Sequence, residues 1–477
     1  MFALFPNTSN RSQLAVNPLI EDGTVKSESC LKTEIGQLID QRGLSALQKI
    51  VIVMSALVVW LDGYHIQSMA LVVPTLSSQW SIPSSGFSLV LASALVGIAL
   101  GGAVLAPLGD RWGRRKLLII SMAIVGVTSI GTGLATGMIQ LLVWRFLTGV
   151  GLGASIPNAT TLTSDYVPAK RRAALVTLMF SGVAIGAFTS GFVAPPIIGA
   201  FGWRGMFTIG GILPLLLCFL LAATIPESIR LLAVRAPDDP RIPKILARLA
   251  PEIDPRTIYA KEPEIKRQSV LELVSRYYRR GTLLLWLVFA VNMFILYLLV
   301  NWLPTLLTAQ GWSSSQALQG SVMIQAGGVA GGLTLSWYVD KGRTVAAMIT
   351  AYAITALAFG LFTILPSSGI SWWLLLLVVG GGISGSQFAL NALAATYYPP
   401  VIRATGVGWA YSIGRIGAIL SPLAGGRILQ MKVEPFAILG MMIVPVLLCM
   451  AGVLMFRNIF QSEPVASTPI SRNPPVA

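Results

Sequence analysis

Twelve apolar stretches alternate with short polar breaks along this chain. Six lie at 50–73, 87–109, 117–136, 139–165, 173–199 and 205–226. After a polar segment at 227–281, six more follow at 282–308, 317–339, 344–366, 372–397, 404–427 and 435–457. A hydrocarbon core about 30 Å thick takes roughly 20 helical residues, so each stretch is predicted to be one membrane-crossing helix. The expected fold class is an all-α membrane protein of twelve transmembrane helices in two six-helix halves, 50–226 and 282–457. Residues 1–49 are polar and mixed in charge, without the early apolar core of a cleavable leader. They are read as a cytoplasmic tail with a short amphipathic helix over Thr33–Leu47, and 458–477 as a second cytoplasmic tail.

The breaks carry an orientation signal. The connection after the second stretch holds Arg111, Arg114, Arg115 and Lys116, and that after the fourth holds Lys170, Arg171 and Arg172. The breaks at 74–86 and 310–315 have no Lys or Arg. The basic breaks fall on one side, which the positive-inside rule makes cytoplasmic. Both termini and the segment 227–281 are then cytoplasmic, and the expected location is the inner (plasma) membrane.

The two sets of six also resemble each other. Gly101-Gly102 and Asp110 precede a basic turn, as Gly331-Gly332 and Asp340 precede Lys341-Gly342-Arg343. Tyr166-Val167-Pro168 leads to Arg172 as Tyr397-Tyr398-Pro399 leads to Arg403. Two matches in the same order imply an internal duplication, a common basis of transporter architecture.

Composition narrows the function. Of 477 residues, 54% are hydrophobic and 11% charged, where a soluble domain carries about 25% charged. A net charge of +15 would suggest nucleic acid in a soluble protein. Here it follows from basic loops, so no nucleic-acid partner is expected. Cys30, Cys218 and Cys449 are scattered and His65 is the only histidine, so no metal site, cofactor or disulfide framework is expected. No phosphate loop ending Gly-Lys-Ser/Thr and no nucleophile–base set is present. The chain is not expected to be an enzyme or to hydrolyse ATP.

Ionisable side chains at membrane depth cost about 2.5–3.5 kcal/mol each on the insertion scale, so the few present single themselves out. Asp62 and His65 lie three apart in the first stretch and share a helical face. A carboxylate beside an imidazole can relay a proton, and these two are the candidate proton-coupling residues; a structural pair locking that helix to a neighbour is the alternative. Arg415 has no charged neighbour on its own stretch and needs an anion: either Asp62 across the bundle or a substrate carboxylate. Arg145 lies nearer the outer surface, where snorkelling competes with substrate binding. Tyr297 and Asn301 in the seventh stretch and Gln325 in the eighth can bind a flat, polar-edged ligand, or serve only to pack helices. Asp110, Arg111, Gly113 and Arg114, with Asp165 and Arg172, form a candidate gating cluster on the cytoplasmic side, echoed by Asp340, Lys341, Arg343 and Arg403.

The six-plus-six plan and the turn Gly109-Asp110-Arg111-Trp112-Gly113-Arg114-Arg115 resemble the major facilitator superfamily over about residues 50–457. Asp62-Gly63-Tyr64, the run from Gly149 to Asn158 with Thr163-Ser164-Asp165, Asn301-Trp302-Leu303-Pro304 and Ile402–Gly408 with Gly414-Arg415 are similar to the aromatic acid:proton symporters. The resemblance implies proton-coupled import of an aromatic carboxylate of the hydroxybenzoate or hydroxyphenyl-alkanoate type, in a bacterial inner membrane. It also implies roles for Asp62, Arg145, Arg403 and Arg415. This chain departs from the pattern by placing His65 where the family has a second acid, and Ala106 where a glycine is usual. The expected partners are a small aromatic carboxylate, protons and lipid, and the expected state is a monomer. Proton-antiport efflux of hydrophobic compounds and a membrane sensor of aromatic acids are the competing readings.

Overall fold

The computed structural model describes residues 33–40, 43–236, 239–249, 258–259, 270–365, 370–398, 402–431 and 433–462. It is helical apart from one two-residue parallel pairing, β1 (Thr33–Glu34) with β2 (Ile258–Tyr259). A short α1 (Ile35–Asp40) leads to α2 (Ala46–Trp80), then α3 (Ser88–Leu100), α4 (Leu108–Trp112), α5 (Arg114–Gly133), α6 (Met138–Tyr166) and α7 (Ala169–Thr224). Two short helices, α8 (Ile229–Arg235) and α9 (Arg241–Leu249), follow. The second set comprises α10 (Arg279–Ala309), α11 (Ser314–Asp340), α12 (Thr344–Ile364), α13 (Ile370–Tyr397), α14 (Arg403–Gln430), α15 (Pro435–Met441) and α16 (Ile443–Ser462). Among the described residues, nine helices are long and apolar enough to cross a membrane. α11 and α14 are long enough but fall short in hydropathy; α11 carries Gln316, Gln319 and Gln325, and α14 carries Arg403, Arg415 and Arg427.

The helices pack as the duplication predicts. α2 lies on α7 and α3 on α6, as α10 lies on α14 and α11 on α13. The contacts are made by glycine in both cases. A Cβ on Gly101 or Gly153 would collide with the backbone of the facing helix at Val150 or Ile98, and one on Gly331 or Gly380 would do so at Gly381 or Ile324. Such close approach lets dispersion contacts and main-chain dipoles hold helices together where lipid offers no hydrophobic drive. The outward faces keep large apolar side chains exposed, among them Phe192, Phe219 and Leu333. The sets meet where α7 touches α11, α3 touches α14 and α2 touches α10.

Several boundaries differ from expectation, each for a local reason. α1 stops at Asp40, and α2 starts afresh at Ala46 with Ser45 accepting from Gln48 N in a capping box. α2 continues through Pro74 to Trp80. The second stretch loosens into a π turn over Gly101–Leu105 and breaks before Pro107. The fifth and sixth stretches form one helical run, turned at Gly202 with φ +66°, a conformation open to glycine at little cost. The twelfth is split at Met442, three residues before Pro445, which has no N–H to continue the ladder. α9 buries Ile242, Ile245, Leu246 and Leu249 in a cluster with Leu38, Ile39, Leu47 and Val51, so part of the central polar segment caps the base of α2. Ahead of α9, hydrogen bonds from Arg241 hold the Asp239 carboxyl down at about 2.

Candidate functional site

α2 crosses the middle of the first set, and Gly63 lets α7 come close enough that a Cβ there would strike Val183 O. This contact fixes the rotation of α2 and the directions in which its polar residues point. A narrow cavity lies between α2, α3, α6 and α10, lined by Ile66, Met69, Leu95, Arg145, Tyr297 and Asn301 among others. Its open volume is ≈ 10 Å³, room for a single water. The helices are closed around it in this conformation.

Arg145 is 2% exposed and does not snorkel. Its Nη2 donates to His65 O at 2.9 Å. Its Cζ stands 5.6 Å from the centre of the Phe207 ring. Nε and Nη1 have no partner among the described residues. A buried guanidinium with two idle N–H groups is costly unless an anion completes it, and one edge of the cavity is this group.

Arg415 is half-buried and has company. It stacks over Tyr411 at 5.2 Å, and it is the charge that acts on Asp62 across the two sets. Tyr297 sits within the same electrostatic group, with Arg415, Tyr411 and Asp62 as its neighbours. Among the described residues Arg415 and Asp62 form no ion pair, but each lies within electrostatic reach of the other. Asp62 is 2% exposed, and its Oδ1 has no hydrogen bond. Asn301, 4% exposed, donates to Tyr297 O at 2.7 Å.

Asp62 and His65 do not act on each other as their spacing suggests. His65 packs edge-on to Tyr64 at 5.7 Å and against Gly210 of α7. Neither ring nitrogen has a hydrogen bond of normal geometry; the nearest main-chain group is at Gly210. Gln325 is also drawn elsewhere: its Nε2 donates to Gln67 Oε1 at 3.1 Å, joining the two sets. Gln67, 1% exposed, was not foreseen, because an amide next to two ionisable groups drew no attention on its own.

On the basic face, Arg114 bridges Asp110, at 3.3 Å, and Asp165. Ser228 Oγ also donates to Asp165. Glu227 Oε1 accepts from Arg115 N at 3.1 Å and Ser228 N at 3.0 Å, capping the start of α5. Gly113, at φ +105°, leaves no space for a Cβ against that carboxylate. Arg111 offers its carbonyl to Arg235 Nη1 at 2.5 Å. Glu227 and Ser228 were missed because a polar segment after an apolar stretch reads as a loop. Arg172, expected to join Asp165, makes no hydrogen bond or ion pair to it among the described residues, where Arg114 and Ser228 share the Oδ2 of that carboxylate; its Nε has no partner. In the second turn Lys341 lies 3.3 Å from the centre of the Trp337 ring, Arg343 is exposed, and Arg403 Nε donates to Tyr398 O at 3.3 Å. The side chain of Asp340 lies outside the described residues.

Residues 51–422 match the sequence profile of the Major Facilitator Superfamily. The chain is 37% identical over 433 residues to the 4-hydroxybenzoate transporter PcaK of Pseudomonas putida, covering 88% of this chain and 95% of that protein. It is 36% identical to the gallate transporter of the same species, over 83% of this chain and 89% of that one. The structure is similar to that of a bacterial homologue of the human lysosomal transporter Spinster, with TM-score 0.65 and 18% identity, over 89% of this chain and 100% of that one.

Proposed function

The chain belongs to the Major Facilitator Superfamily, and from that premise we propose that it imports an aromatic carboxylate together with a proton by alternating access. It is a membrane transporter, not an enzyme. The observation that carries the substrate reading is Arg145: a buried cation with two N–H groups unused, facing a cavity whose other polar edge is Tyr297 and Asn301. A carboxylate supplies a missing acceptor, since an N–H···O bond between a guanidinium and a carboxylate is charge-assisted. Ile66, Met69 and Leu95 offer apolar surface to a ring, and Tyr297 and Asn301 face its polar substituent. The names of the relatives, with 4-hydroxybenzoate and gallate as their substrates, support this choice.

Proton coupling rests on Asp62. When ionised it holds Arg415 of the opposite half; when protonated it lets Arg415 go, and the halves are free to rock. Each net charge moved is worth about 2.3 kcal/mol per 100 mV, so an anion carried with one or more protons is not driven back out by a negative interior. His65 stands outside this exchange, and coupling then uses a single acid.

The basic turns face the cytoplasm, with both termini on that side of the inner membrane. The units are a tail at 1–49, a six-helix half at 50–226, a linker at 227–281, a second half at 282–457 and a tail at 458–477, twelve spans working as a monomer. Uptake of radiolabelled 4-hydroxybenzoate into proteoliposomes tests the reading. A pH gradient, acid outside, should drive accumulation that a protonophore abolishes. Uptake of neutral solutes with no response to any benzenoid acid would refute it.

A further inference from the structure

A second cavity lies between the same halves, nearer the face opposite the basic turns. It measures ≈ 260 Å³ and is lined by Pro74 and Thr75 of α2, Pro195 of α7, Pro304 and Thr308 of α10 and Leu318 of α11, with neighbours. That is close to the lower end of small-ligand sites, about 300 Å³. No charged side chain lines it. Its walls are prolines and aliphatic groups, and its polar rim is hydroxyl: Thr75, Thr308 and the two serines that open α11.

This cavity and the one at Arg145 are separate and follow one another along a single face of α10. Tyr297, Asn301, Pro304 and Thr308 are spaced four, three and four residues apart, which lines them up on one side of α10. The first two line the inner cavity and the last two the outer one. On α2, Leu71 of the outer cavity stands one turn above Gln67. On α11, Leu318 stands two turns above Gln325. The Gln67–Gln325 hydrogen bond therefore lies deeper than these two lining residues of the outer cavity, and both amides are shut off from solvent.

We propose that the outer cavity is an access site for the uncharged ring of the incoming aromatic acid, and that the Gln67–Gln325 bridge is the gate between it and Arg145. The assignment rests on the transport reading for the identity of its ligand. A ring lies flat on proline and aliphatic surface, while its carboxylate stays at the hydroxyl rim. The bridge joins α2 of one half to α11 of the other, so it must break when the halves part on this side. Two amides do this without stranding a charge in the membrane, and each can donate to a carboxylate passing between them.

Thiol labelling tests both parts without relying on uptake. In a background with Cys30, Cys218 and Cys449 replaced by alanine, Thr308→Cys reports above the bridge and Ile98→Cys, on the inner wall of the Arg145 cavity, below it. A membrane-impermeant thiol reagent is added outside. Saturating benzoate should slow modification of Thr308→Cys several-fold, and acetate should not. Gln67→Ala with Gln325→Ala should speed modification of Ile98→Cys about tenfold without any substrate, the change expected for one hydrogen bond at the upper end of its net worth. Each single alanine variant should shift it the same way, which covers a double variant that fails to fold. Equal Ile98→Cys rates with and without the bridge would remove the gate. Protection by acetate equal to that by benzoate, or by neither, would remove the ring site. Protection by benzoate in a protein that accumulates no aromatic acid would leave the access site standing and overturn the coupled-import reading instead.

Discussion

Arg145 and Arg415 are the two guanidinium groups at membrane depth, one in each half, and their surroundings differ in the one respect that matters for transport. Arg415 has Asp62 acting on it across the halves, and Tyr411 beneath it. Arg145 has a carbonyl, an aromatic face and two unused N–H groups. A cation that already has an acid can trade it for a proton's worth of freedom. A cation without one waits for an anion from outside. On the proposed function, the substrate falls to the first half and the proton to the contact between halves.

The largest effect should come from Arg145→Ala. Losing two charge-assisted hydrogen bonds, each about 1.5–3 kcal/mol, weakens carboxylate binding about a hundredfold or more. Arg145→Lys should recover only part, as a point charge without the fork. Binding titrations check this, and equal losses from Arg415→Ala would erase the distinction. Next, Asp62→Asn should abolish accumulation against a gradient while substrate exchange across the membrane persists, read by counterflow. Combined with Arg415→Ala it should cost less than the single changes added together, by about 0.5–3 kcal/mol of coupling. Gly113→Ala forces φ +105° on a residue with a Cβ beside Glu227. It should lower stability by about 1–2 kcal/mol in a melting assay, with substrate binding untouched. The smallest effect is expected at His65→Asn, where binding and pH dependence stay within about threefold, less than 1 kcal/mol. A proton dependence lost in that variant would move coupling from Asp62 to the imidazole.

The helical plan was legible because period and length alone separate a span from a loop, and the glycine-rich duplications marked which helices touch. What hid was whatever depends on a partner far along the chain. Asp62 and His65 share a face by spacing, yet the close approach of α7 at Gly63 sends one toward α14 and the other toward Gly210. Snorkelling stayed open for Arg145 because its depth was counted from the end of its own stretch, while Phe207 and the His65 carbonyl come from other helices. Glu227 lies just past a span, where a carboxylate looks solvated until α5 is seen to begin against it. The break between the fifth and sixth stretches looked like a loop, since a helix that turns on one glycine leaves no longer polar signature.

That turn at Gly202 has a practical consequence. On the side away from the basic turns the helices are joined by very little chain: one glycine here, Leu134–Gly137 after α5, and Gln310–Ser313 after α10. An antibody fragment approaching there has little loop to grip, and a tag inserted at 202 would fall in a turn that joins two helices directly. Binders raised to hold the protein for imaging should be selected against the opposite side, where α8, α9 and the stitched turn around Glu227 present a broad folded surface.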